Sequence, residues 1–214
     1  MRGQHIGLMA YIIAASGYLM CNETVHAAEL KREKDSLLVT GTLTPTDWDA
    51  IDLNGVKTIV FQRSLGGSVA AYRKYIEIIR QNHLATRVSG KCYSACAIAF
   101  LAGTHRDADT RNGIAAIMFH VARMQTSAGP RAFDKNPQVM ETINELTSFK
   151  LPQQVREMIG SSWGEAAGVM FMLKPGFLGQ YWEVRYCDGS QGANISKCQE
   201  IKGLDPTTIG IIDQ

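Results

Sequence analysis

The chain has no long acidic or basic run and no dense Lys/Arg stripe interleaved with aromatics, and its formal net charge is only +2 over 214 residues. A nucleic-acid surface needs a basic footprint, so that class has no support. No low-complexity stretch interrupts the sequence, and 45% hydrophobic content is not the composition of a disordered protein. No apolar run reaches the ~20 residues that a membrane span prefers. Cys92 and Cys96 stand as a lone pair, whereas a structural zinc site wants four ligands. The Gly-x-Ser-x-Gly elbow of the α/β-hydrolases is also missing, because cysteines occupy the glycine positions around Ser94.

What is present begins with a distinct N-terminal segment. Arg2 gives a positive start, an apolar stretch runs from Ile6 to Met20, and Val25-His26-Ala27 supplies small or apolar residues at positions three and one before a cut. This is the layout of a secretory signal peptide over 1–27, cleaved after Ala27 or one residue later. The rest, 28–214, is one domain bound for the periplasm or beyond. The alternative is an N-terminal membrane anchor, which Gly7 and Gly17 weaken as a helix. With the segment removed, no stable membrane span is expected. A lipoprotein cut at Cys21 is disfavoured by the bulk of Met20 before it. Removal also leaves four cysteines, Cys92, Cys96, Cys187 and Cys198, and an even number in an exported chain fits disulfides. Cys187 with Cys198 is the preferred local pair, closing a turn-rich loop. For Cys92 and Cys96 the preferred reading is a bond to each other that braces the turn at Ser94, with bonding elsewhere or a reactive thiol as alternatives.

Along the domain, residues 28–36 are polar and read as a loose arm. Ser36–Leu43 reads as a strand, 44–54 as a short helical connection, and Val56–Gln62 as a second strand. After the Leu65-Gly66-Gly67 turn, Ser68 opens a helix in which Val69, Tyr72, Ile76 and Ile79 share one face. A short strand over Ala85–Ser89 leads through a turn at 90–94 into an apolar helix, Ala95–Ala102. The strand–turn–helix unit thus occurs twice, which suggests βαβ-type packing in an α/β fold. Ile114–Phe119 reads as a strand covered on both faces. Residues 105–109 read as a solvated charged turn and 124–136 as a loop or lid. Pro137–Phe149 is an amphipathic helix, Pro152 opens another that Gly160 closes, and Trp163–Met172 reads as helical. Tyr181–Cys187 is a strand and the tail a small hairpin.

Three local features carry chemistry. Gly66-Gly67 at a strand end lets backbone N–H groups face outward, where they can meet negative charge; an ordinary tight turn explains it as well. Ser94, in Cys92-Tyr93-Ser94-Ala95-Cys96, stands at a helix start, where serine is also a favoured N-cap. His120 ends a buried strand, a place where histidine commonly serves as a hydrogen-bonding residue. The order Gly-Gly, Ser, His changes the balance.

The stretch from Val56 to about Arg123 resembles the Clp protease proteolytic subunit and its periplasmic relatives in the ClpP/crotonase superfamily. The resemblance rests on Ser64-Leu65-Gly66-Gly67-Ser68-Val69, Gly90-Lys91-Cys92-Tyr93-Ser94-Ala95-Cys96, Ala102-Gly103 and Met118-Phe119-His120. It implies stacked ββα units with a helical C-terminal part and a small disulfide-closed hairpin. It further implies Ser94 as nucleophile, His120 as base, and an oxyanion site from Gly67 and Ala95 with Gly66 shaping the turn. No metal and no organic cofactor is expected, the substrate is a peptide or protein, and relatives forming rings or trimers imply a homo-oligomer. One position departs: where the family has an Asp, this chain has Val169. The nearest carboxylate is Glu165, with Ser161 and Ser162 as polar alternatives. Loss of that third role alone can cost about 10⁴ in rate. The function implied is an exported serine peptidase-like hydrolase with a Ser94–His120 dyad or incomplete triad. The rival is an inactive binding or scaffold protein of the same fold. A crotonase-like acyl-CoA enzyme is set aside because coenzyme A is expected inside the cell.

Overall fold

The computed structural model describes residues 27–120, 123–126, 129–132, 137–162, 167–191 and 194–213. The 28–36 segment is not a loose arm: β1 (Glu29–Glu33) turns at Lys34 and pairs antiparallel with β2 (Ser36–Thr40). Its charged side chains keep a sheet edge soluble while its backbone is satisfied by β2. The expected helix over 44–54 is a series of turns. Asp47 explains this, because its carboxylate accepts from the Thr44 N–H (2.8 Å), the Thr44 hydroxyl and the Tyr75 hydroxyl (2.7 Å). Such local side-chain bonds compete with helix formation. Burial, aided by that hydrogen bond to Asp47, pushes the Tyr75 phenol far above its ordinary range.

Next come β3 (Thr58–Ser64) and α1 (Val69–Gln81), the latter capped as expected by Ser68, whose side chain accepts from the Ala71 N–H. β4 (Ala85–Tyr93) runs through the turn expected at 90–94 and stops only at Ser94. It can do so because Gly90, at φ +143°, lies against the Gln62 carbonyl, 1.9 Å from where a Cβ would stand. The short helix α2 (Ala95–Phe100) follows. The 105–109 segment is not merely a solvated turn. It holds β5 (Arg106–Ala108), parallel to β4 and tied by the Arg87–Asp107 ion pair. β6 (Ala115–Phe119) is buried throughout. Within the expected 124–136 loop, β7 (Arg123–Thr126) and β8 (Gly129–Ala132) form a separate antiparallel pair.

α3 (Pro137–Leu146) and α4 (Gln153–Ser161) match the sequence reading, but the expected helix over 163–172 does not. Residues 163–166 lie outside the described residues, and 168–172 belong to β9 (Gly168–Gly176). Val-Met-Phe-Met-Leu is a continuous apolar run, and such a run does not distinguish a buried helix from a strand covered on both faces. β10 (Gly179–Cys187) pairs with β9, and a short 3-10 turn leads to β11 (Gln199–Glu200) on the other side of β10. Among the described residues after α4 there are three strands and no α-helix, so the expected helical part does not extend beyond α4.

Nine of these strands make one mixed sheet in the order β1-β2-β3-β4-β6-β9-β10-β11, with β5 beside the first half of β4. β2, β3, β4 and β6 run parallel; β9 enters antiparallel to β6. The main core contains Phe61, Val88, Phe100, Ile117, Phe119 and Phe171 together with buried residues of all four helices. Burying each such side chain contributes about 1.5–3 kcal/mol. A smaller cluster contains Ala116, Met118, Met170 and Met172 with Tyr93 against it. The tail docks through buried Ile209, Ile211 and Ile212, and Asp213 receives the Arg106 guanidinium. No helix among the described residues is long and apolar enough to cross a membrane. The expected signal segment lies outside the described residues but for Ala27.

Candidate active site

The sheet brings the ends of β3, β4 and β6 together. β4 and β6 are parallel neighbours with Cys92 beside Ile117 and Tyr93 beside Met118. The Ser94 N–H continues this ladder, donating to the Met118 carbonyl at 2.9 Å. Ser94 thus stands level with the end of β6, and His120 is the first residue beyond it. Both residues are half-buried.

Ser94 has φ +57° and ψ −123°, a region that side chains other than glycine seldom occupy. Such a residue costs of order 1–3 kcal/mol and persists only where its surroundings enforce it. Nor is Ser94 there to cap α2, since its side chain makes no capping bond and its hydroxyl has no hydrogen-bond partner among the described residues. The N-cap explanation of this serine therefore fails. What remains is a strained strand-to-helix turn that presents a hydroxyl, the local geometry of a nucleophile elbow although the flanking glycines are absent.

The double-glycine bend packs directly on that turn. Gly66 has φ +112°, and a Cβ on it would lie 2.7 Å from the Ser94 Cβ and 3.2 Å from the Ala95 nitrogen. A Cβ on Gly67 would lie 2.2 Å from the Leu43 carbonyl oxygen. Both glycines are thus required by close approach of neighbouring backbone. The Gly66 N–H donates to the buried Ser64 hydroxyl (3.3 Å), and its carbonyl accepts from the Leu43 N–H (2.8 Å). In contrast, the N–H groups of Gly67 and Ala95 have no acceptor among the described residues. Leu43 was not singled out from the sequence, and Ser64 only as the first residue of the glycine-turn motif.

Cys92 and Cys96 are bonded to each other, with Cα atoms 5.2 Å apart, and both are fully buried. Cys187 and Cys198 form the second disulfide, across the β10–β11 connection. Tyr93, next to the nucleophile candidate, is largely enclosed, and burial raises its phenol above the ordinary range.

On the far side of His120, Gly168 approaches so closely that a Cβ would lie 2.5 Å from the Phe119 carbonyl and 3.2 Å from the His120 Cβ. Val169 is fully buried in the sheet opposite Phe119. The Ser162 hydroxyl donates to the Ile159 carbonyl at 2.8 Å, and the Ser161 hydroxyl lies 3.2 Å from that of Tyr186. Both alternative hydroxyls are thus engaged locally. Glu165 lies outside the described residues.

No family model matches the chain, and no curated protein matches it. Among solved structures, it is similar to a mutant of the 1510-N membrane-bound stomatin-specific protease, at 13% identity and a TM-score of 0.44, over 58% of this chain and 67% of that one. It is also similar to an enoyl-CoA hydratase from Streptomyces coelicolor A3(2), at 14% identity and a TM-score of 0.27, over 50% of this chain and 53% of that one. The chain thus matches about half the length of the hydratase.

Proposed function

We propose that the protein is an exported serine acyl hydrolase of the ClpP/crotonase kind, acting on peptide or protein substrates. Ser94 attacks the acyl carbon while His120 takes its proton and returns it to the leaving group, and water then releases the acyl-enzyme. The Gly67 and Ala95 N–H groups receive the developing oxyanion. The observation that supports this reading is the backbone of Ser94: it is strained, its side chain does not cap the helix, and the Gly66 bend packs directly against it. Such strain concentrates at functional sites, which favours a chemical role for this serine. That the hydroxyl has no hydrogen-bond partner among the described residues agrees with this reading, since catalytic hydrogen bonds commonly tighten only around substrate.

Glu165 is the carboxylate we assign to orient His120, four residues before the valine that holds the family's acid position. Export fits two disulfides, which persist in oxidising compartments. The test is covalent labelling of the folded chain with a fluorophosphonate. Labelling that disappears in Ser94→Ala and falls at least about 10³-fold in His120→Ala supports the enzyme. A folded wild-type chain that never labels is a scaffold.

A further inference from the structure

The outward face of β3 and β4, short of Ser94, carries a feature that the hydrolase reading does not use. Arg63 and Lys91 are direct partners in the parallel register of β3 and β4, so two cations stand side by side on one face. Like charges placed so are destabilising. Both side chains are exposed, and neither has an ion-pair or hydrogen-bond partner among the described residues. They line a cavity of about 550 Å³ together with Gln62, Ser89, Asn112 and Ile114, and no carboxylate is among its described lining residues.

The neighbouring cavity shows how this face otherwise treats its cations. It is lined by Lys34, Arg87 and Arg111 but also by Glu33 and Asp35. Arg87 is held by Asp107 at 2.7 Å, and Arg111 by Asp109. The two cavities share Gln62, Ser89 and Asn112, and the shared floor is built rather than incidental. Ser89 is nearly fully buried, donates to Asp109 at 2.7 Å and receives the Asn112 amide at 3.0 Å. Both arginines on one side of this floor thus have carboxylate partners, whereas Arg63 and Lys91 on the other have none among the described residues.

Resting on the hydrolase reading, we propose that Arg63 and Lys91 form a subsite for a carboxylate carried by the peptide substrate. Lys91 precedes Ser94 by three residues, a reach of about 10 Å at strand spacing. That is the length of about three extended substrate residues, so the carboxylate lies some three positions from the bond that is cut.

The test uses the full-length Ser94→Ala chain, so that nothing is turned over. Fluorescence polarisation would measure binding of rhodamine-labelled hexapeptides at low salt: a neutral amide-capped one, the same with a single Glu, and the same with a free C-terminal carboxylate. The Glu peptide, the free-carboxylate peptide or both are expected to bind about tenfold tighter than the neutral one, with the advantage shrinking as salt rises. Which of the two gains tells a side-chain from a terminal carboxylate. Arg63→Ala with Lys91→Ala should erase the preference while leaving the neutral peptide and the melting temperature unchanged, and Arg63→Glu with Lys91→Glu should reverse it. Equal binding of all three peptides, no binding of any, or a preference that survives the double alanine variant overturns the subsite. A charge preference in a chain whose wild-type form never labels with fluorophosphonate leaves the subsite standing and removes the hydrolase.

Discussion

The Cys92–Cys96 bond is fully buried and spans Ser94, joining the penultimate residue of β4 to the second residue of α2. The Cys187–Cys198 bond joins the end of β10 to the residue before β11, around a connection whose residues 194–197 are exposed. Near the second bond, Arg185 already holds the backbone, donating to the Ser196 carbonyl at 3.0 Å. Loop-closure entropy gives the two bonds similar worth, about 2 kcal/mol for the shorter loop and about 3 kcal/mol for the longer. If stability were their only task, the outer bond would matter more. The inner bond instead encloses the one residue of the turn whose backbone is strained, so its worth should appear in reactivity. Two staples of equal chemistry thus separate holding a loop from holding a conformation.

The sharpest way to break this contrast is at the glycine beneath the inner turn. Gly66→Ala should lower the fluorophosphonate labelling rate by about 10²–10³-fold, because a methyl there displaces Ser94 and the adjacent N–H groups. An unchanged rate would mean that the turn tolerates displacement. Next in size is the exchange of disulfides. Cys92→Ala with Cys96→Ala should cut labelling at least about tenfold while costing about 2 kcal/mol in urea unfolding. Cys187→Ala with Cys198→Ala should cost about 3 kcal/mol and leave labelling within about twofold. The opposite ranking of labelling would refute the division of roles.

Smaller effects sharpen the outer half. Glu183 on β10 is raised by burial but lowered more by its bonds to Lys174 and Arg185, leaving it below the ordinary range. A depressed carboxylate contributes stability that is present above its unfolded value, about 4.3, and lost as pH falls through the folded value. Glu183→Gln should therefore cost about 1 kcal/mol near neutrality, and the gap from wild type should close in acid urea titrations. Smallest of all, Phe177→Ser and Leu178→Ser at the β9–β10 tip should stay within about 0.5 kcal/mol, since those side chains are 103% and 97% exposed.

Where sequence reading succeeded and failed follows the range of the interactions involved. Ser68 as a cap, the apolar face of α1, and the Cys187–Cys198 pair depend on neighbours within a few residues, and each was legible. The pairing of Cys92 with Cys96, the reading preferred among several, is likewise local, four residues apart across the turn at Ser94. β1 was missed because its reason for being a strand is β2, not its own charged residues. The β9 segment was misread because its apolar run is covered on both faces and so shows no period. At the site, the order of glycine, serine and histidine was visible. The strain at Ser94 and the shared row of Arg63 and Lys91 were not, because a backbone angle and a register shift leave no mark in residue order.

β6 offers a last consequence, in the language of folding rather than of the finished molecule. One side of this wholly buried strand is closed by β4, which precedes it closely in the chain, but its other side waits for β9, which follows two helices and a hairpin. Until β9 arrives, Ala-Ala-Ile-Met-Phe is a bare apolar edge, free of charge and proline and ready to pair with the same segment of another chain. Slow or stalled synthesis before residue 168 should therefore feed aggregation through this segment.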